Sequence, residues 1–131
     1  MILKKTIFIL LFITIPHVLM ANHLGIINVN TNENISAFLE YTIPFCLNDK
    51  KTIYNNRSID LDLVSCIIRK VTITSLESNQ QKSHSNFPSE PNRPMPIDVF
   101  IKVTKNATGK IEVSSITYDE FNRLRKLYPD M

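Results

Sequence analysis

The stretch IDVFIKVTKNATGKIEVSSITYDEFNRLRKLY, residues 97–128, carries the clearest structural signals in this chain of 131 residues. Ile97, Val99, Ile101 and Val103 alternate with Asp98, Lys102 and Thr104, which places apolar side chains on one face of a strand. Asn106, Ala107, Thr108 and Gly109 supply a turn and Ile111 and Val113 resume the alternation, so the segment predicts a β-hairpin with one apolar face. Directly afterwards Thr117 and Glu120 form a T-x-x-E capping box, with Ile116 and Phe121 at the positions of a hydrophobic staple. The helix they start has Phe121, Leu124 and Tyr128 on one face. Asp119 and Glu120 sit in its first turn, Arg123, Arg125 and Lys126 come later, and Pro129 follows its end.

A hairpin and one helix of this size bury too little area to stand alone, so the rest of the chain must complete the core. Gly25 to Val29 is a short apolar run ending in turn residues. Thr31 or Asn32 can then cap a helix whose apolar positions Ile35, Phe38, Leu39 and Thr42 fall at i, i+3, i+4 and i+7, with Pro44 ending it and Phe45 to Leu47 extended. Asn48 to Lys51 reads as a turn, Thr52 to Tyr54 as a short strand, and Asn55 to Ser58 as a second turn. Residues 59–70 fit either element. Ile59, Leu61 and Leu63 alternate with Asp60 and Asp62 like a strand, whereas Ser58, the early acids and the late Arg69 and Lys70 suit a helix. The β-branched content favours strand from Val71 onward. Glu77 to Pro96 is polar, and Pro88, Pro91, Pro94 and Pro96 stiffen its second half, so it is expected as an excursion from the domain. The expected fold class is α+β: a small antiparallel sheet with an N-terminal and a C-terminal amphipathic helix and one disulfide. Residues 22–131 form a single domain in the more economical layout; a disulfide module tethered to a separate C-terminal module is the alternative.

The first twenty-one residues have the layout of a secretory signal peptide, with Lys4 and Lys5 before an uncharged run from Thr6 to Ile15, then Pro16, His17 and the small Ala21. Cleavage near Ala21 gives a secreted or periplasmic protein. Retention of residues 6–21 as an anchor would tether it to a membrane, the one circumstance in which a membrane partner is expected. Loss of Lys4 and Lys5 leaves 13 basic against 12 acidic side chains, scattered along the chain, which argues against nucleic acid as a partner. Cys46 and Cys66, an even count in an exported chain, read as a disulfide closing a loop of about twenty residues and worth on the order of 3 kcal/mol.

Residue types that carry chemistry are sparse. His23 lies just beyond the expected cut and His84 falls in the polar excursion, so neither serves a nucleophile or a metal, and no cofactor is expected. No G-x-S-x-G, H-E-x-x-H, P-loop or dinucleotide motif occurs, and two glycines leave no phosphate cradle. Of the carboxylates, Asp60 and Asp62 share a face if their segment is a strand, and Asp119 with Glu120 is accounted for by the helix start. The triplets at Asn34, Asn56 and Asn106 could carry glycans in a eukaryotic secretory pathway, although a chain so rich in Asn, Ser and Thr produces them by chance. A helix against an antiparallel sheet is a cystatin-like layout, but the Q-x-V-x-G loop of that family is missing. The expectation is a non-catalytic exported domain that binds a protein or an envelope component. A small hydrolase built on carboxylates, or a tethered structural subunit, is the alternative.

Overall fold

A computed structural model describes residues 22–42, 46–64, 66–85, 87 and 98–131. The expected signal peptide, Pro44 and the four prolines from Pro88 to Pro96 lie outside these residues. The fold is mostly β, with two four-stranded sheets and, among the described residues, one helix. The first sheet has the order β4 (Ser58–Val64), β1 (Asn22–Asn28), β7 (Asp98–Lys105), β8 (Ile111–Ser115). The second has the order β3 (Asp49–Ile53), β2 (Ile35–Tyr41), β5 (Ile68–Ser75), β6 (Gln81–His84). All neighbours are antiparallel except β1 and β7, which run parallel.

The hairpin and the C-terminal helix α1 (Tyr118–Leu127) form where the local signals place them. Thr117 caps the helix, its hydroxyl accepting from Glu120 N–H at 3.2 Å. The carboxylate of Glu120 turns to Arg123 instead of closing the box.

The expected N-terminal helix does not exist, and this overturns the α+β helix-pair architecture: its residues are the central strand β2. Ile35, Ala37 and Leu39 are fully buried while Phe38 is exposed, so the period that operates is two. The same residues also satisfy a helical spacing, and tertiary pairing with β3 and β5 decides between the two. Thr31 and Asn32, read as helix caps, close the β1–β2 turn. Asn28 Nδ2 donates to Glu33 O at 2.8 Å and to Ile53 O at 3.2 Å, Thr31 Oγ1 donates to Asn28 Oδ1, and Asn30 and Asn32 take positive φ of 49° and 59°. Asparagine supplies these left-handed positions at lower cost than other non-glycine residues.

Two polar segments read as irregular are edge strands. Asp49 to Lys51, expected as a turn, begins β3, and Gln81 to His84, inside the expected excursion, is β6. Edge strands face water on several sides, and polar or lysine-rich sequence there resists pairing with other chains. The ambiguous 59–70 stretch resolves into all but the first residue of β4 and the first three residues of β5.

The two sheets face each other across one apolar core. Leu24, Ile26, Val99, Ile101 and Val103 from the first sheet meet Ile35, Leu39, Val71 and Ile73 from the second. Helix α1 covers the outer face of the first sheet, where Phe121 and Leu124 pack on Ile27 and Phe100. Strand β1 is therefore buried on both faces, which is why Leu24 to Ile27 reads as an unbroken apolar run.

The Cys46–Cys66 disulfide is present, with Cα atoms 6.0 Å apart. It ties the β2–β3 connection to the crossover from β4 to β5, where the chain passes from one sheet to the other. A Cys46→Ser/Cys66→Ser protein is expected to lose about 3 kcal/mol in urea unfolding, and reductant should shift the midpoint of the wild type but not of the variant. Equal midpoints for the two proteins would show that the bridge adds nothing.

Candidate functional site

The sandwich has two open sides, and they differ. Along the β6/β8 side the sheets are sewn together. Gln80 Nε2 donates to Gly109 O and Gln80 Oε1 accepts from Ile111 N–H, both at 2.8 Å, and His84 Nε2 lies 2.8 Å from Ser115 Oγ. Phe87 meets the His84 ring edge-on at 5.4 Å, and burial lowers the pKa of His84. The ring is a structural clasp, not a base aimed at a cleft.

Along the β3/β4 side a cleft of about 520 Å³ remains, with the disulfide, Tyr41, Leu61 and Leu63 among its walls. Its rim carries Lys51 and Asp49, which pair with each other at 3.3 Å. Burial, with the nearby Asp49 charge, raises the pKa of Tyr41, so that phenol stays protonated.

Asp60 and Asp62 both fall on strand β4, two residues apart and so on one face of it. Asp60 lies 3.2 Å from Arg125 Nη1 and 3.6 Å from His23 Nδ1, held toward the helix. Asp119 and Glu120 occupy the first turn of α1. Arg125 also grips Asp130, whose carboxyl is held below its usual range by that guanidinium. Ser58 Oγ donates to Asp130 as well, fastening the chain beyond the helix to β4. No group of three or more His, Cys, Asp or Glu that could hold a metal occurs among the described residues.

Each sequon asparagine has a turn to hold. Asn34 Oδ1 accepts from Asn55 N–H, Asn56 Oδ1 from Asn30 N–H, and Asn106 Oδ1 from the backbone of Thr108 and Lys110.

One broad surface is left. The centre of the outer face of the first sheet lies under α1, whereas among the described residues no helix lies on the outer face of the second sheet. Register places Lys50, Phe38, Thr72 and Ser83 side by side in one row across four strands, and Thr52, Ser36, Thr74 and Gln81 in the next. At about 4.8 Å between strands each row is about 14 Å long. Phe38, 40% exposed, stands in the middle, and Leu76, 48% exposed, lies at one end. Glu40 sits opposite Lys70 at the other end and takes Arg69 at 3.0 Å and Lys70 at 3.9 Å. Lys50 makes no ion pair among the described residues. The face forms a shallow depression of about 500 Å³.

Sequence reasoning missed this surface because Phe38 was assigned to the buried side of a helix, and Lys50 and Lys70 are twenty residues apart. The alternation of Thr72 and Thr74 with Val71 and Ile73 was the available clue to an open face.

No family model and no curated protein matches the chain. A solved structure described as "NMR structure of the protein from Eubacterium rectale" is similar over 72% of this chain and 87% of that one, at 13% identity and a TM-score of 0.51. At that identity the likeness is one of fold, and the reading of the site rests on this chain's own residues.

Proposed function

We propose that the protein is an exported, non-catalytic domain that binds an envelope or cell-surface macromolecule through the outer face of its second sheet. The observation that carries this reading is Phe38, a large apolar ring left partly in water at the centre of a sheet face, whereas the central apolar residues on the outer face of the other sheet, Ile27 and Phe100, are covered by helix α1. A rigid sheet presents such a ring with little ordering to be done on binding, which favours affinity. The Cys46–Cys66 bridge belongs to an oxidising, extracellular-type environment, where a partner on a cell surface or in an envelope is accessible. Among the described residues no helix is long and apolar enough to cross a membrane.

The test is co-sedimentation of the purified protein with intact envelopes and cells. Wild type should sediment with them and Phe38→Asp should remain in the supernatant, while its unfolding free energy falls by only about 1–2 kcal/mol and the domain stays folded. Equal sedimentation of the two proteins, or none by wild type, overturns the reading. Deleting residues 78–95 is not an equivalent test, because it removes strand β6.

A further inference from the structure

We propose that the partner of this face is an acidic polysaccharide. The proposal rests on the preceding reading that the outer face of the second sheet is the binding surface, and adds the chemistry of what lies on it.

Three properties of the face select that chemistry. The first is its hydroxyl content: Thr52, Thr72, Thr74 and Ser83 lie in two adjacent rows around the buried Ser36, with Thr72 and Ser83 3.2 Å apart and Thr74 accepting from Gln81. Each hydroxyl can donate once and accept twice, which matches a ligand that itself presents many hydroxyls. The second is Phe38 between Lys50 and Thr72, a flat apolar surface flanked by polar groups on which a sugar ring can stack with its hydroxyls reaching the neighbouring rows. The third is charge. Arg69 and Lys70 both pair with Glu40, the one carboxylate of the face among the described residues, and Lys50 adds a third cation, so this face is cationic although the chain is close to neutral. Lys50, unpaired among the described residues and next to Phe38, is placed to meet an anionic group on a ring stacked there.

The composition separates a sugar chain from a protein partner. Protein interfaces are enriched in aromatic residues, Met and Arg and depleted in Ser and Lys. Among the described residues this face has one aromatic side chain, Phe38, and one Arg, Arg69, and with Leu76 and Gln81 aside the rest is Ser, Thr, Lys and Glu40. A peptide adding as a strand would use the edge of β3 or β6 and would not need the face. Three cations against one acid are too few for the multiple phosphate contacts that hold nucleic acid.

The experiment is affinity electrophoresis of the full chain through gels containing hyaluronate, heparin, neutral dextran or single-stranded DNA. Wild type should be retarded by hyaluronate or heparin and not by dextran. Phe38→Ala should weaken that retention roughly tenfold, as loss of a central aromatic anchor does. Lys50→Gln/Lys70→Gln should abolish it, with both variants still unfolding cooperatively in urea and therefore folded in the gel. Retention that needs the lysines but not Phe38, or that is as strong on DNA, marks a generic cationic surface and overturns the proposal. Retention by dextran overturns its acidic part, and absence of retention on every gel overturns it entirely. In that last case, co-sedimentation that still depends on Phe38 would show that the face binds a partner of another class and that only the sugar assignment has failed.

Discussion

Replacing Phe121 with alanine is expected to cost about 3–5 kcal/mol and to melt helix α1 from the sheet. Phe121 is fully buried, its ring lies 4.9 Å from that of Phe100, and the Arg125 guanidinium sits 5.4 Å above it. A helix of ten residues is too short to persist in water without an apolar face to pack against, so its stability is that of this contact. The sheet is shaped to receive the ring at Gly25. A Cβ there would stand 2.4 Å from Phe121 Cε1 and Cζ and 2.8 Å from Phe100 Cδ1, closer than atoms can approach. Gly25→Ala should therefore cost about 1–3 kcal/mol in the wild type and most of that penalty should vanish in the Phe121→Ala background, a coupling that a double-mutant cycle measures. Urea unfolding gives the free energies, and amide exchange across residues 118–127 reports whether the helix has opened. A loss below about 1 kcal/mol for Phe121→Ala would mean that the helix is held by its polar links to Asp60 and Asp130 rather than by this ring.

The segments that could be read locally are those in which several independent signals agree. In the hairpin and α1, alternation, turn residues, capping and a proline stop all point one way, and the strands and helix form there. Residues 31–42 were misread because Ile35, Phe38 and Leu39 fit a period of 3.6 while Ile35, Ala37 and Leu39 fit a period of two, and only the neighbours on either side choose. The end of β3 was read from Thr52 to Tyr54, but its start at Asp49 to Lys51 and the whole of β6 carried no apolar pattern, since an edge strand's polarity looks like a loop's. Nor does any local feature say that β1 lies parallel to β7, which pairs His23 with Asp98 across most of the chain, or that the hairpin joins β1 while β5 belongs to the opposite sheet. The candidate face depends on that non-local register. Phe38, Lys50 and Thr72 are unremarkable apart, and become a surface only when β2 lies between β3 and β5. The disulfide was legible because two cysteines admit one pairing.

Lys105→Met should destabilise the domain by about 3 kcal/mol at neutral pH, the low end of what breaking a buried ion pair costs because this lysine is partly open to water. The Glu33 side chain is 7% exposed and that of Lys105 27%, with Nζ 3.0 Å from Oε2. Burial alone would push the Glu33 carboxyl up, but Lys105 together with the hydroxyls of Ser75 and Ser78 outweighs it and holds the group below its ordinary value of 4.5. A carboxyl lowered in the folded state adds stability that is fully present above its unfolded pKa and is lost as pH falls through the folded one. The wild type should therefore surrender this contribution only below about pH 4.5. Without the cation, burial dominates and the sign reverses: Glu33 then rises above its ordinary value, the penalty is largest at neutral pH, and protonation relieves it. The stability gap between wild type and Lys105→Met should consequently narrow between pH 7 and pH 4, an outcome opposite to that of a lysine acting only through its aliphatic stem. Glu33→Gln/Lys105→Met should recover most of the loss, since a neutral amide leaves no buried charge to neutralise. Urea midpoints for the three proteins at the two pH values decide the matter, and a gap independent of pH would show that the carboxylate is not held by this ion pair.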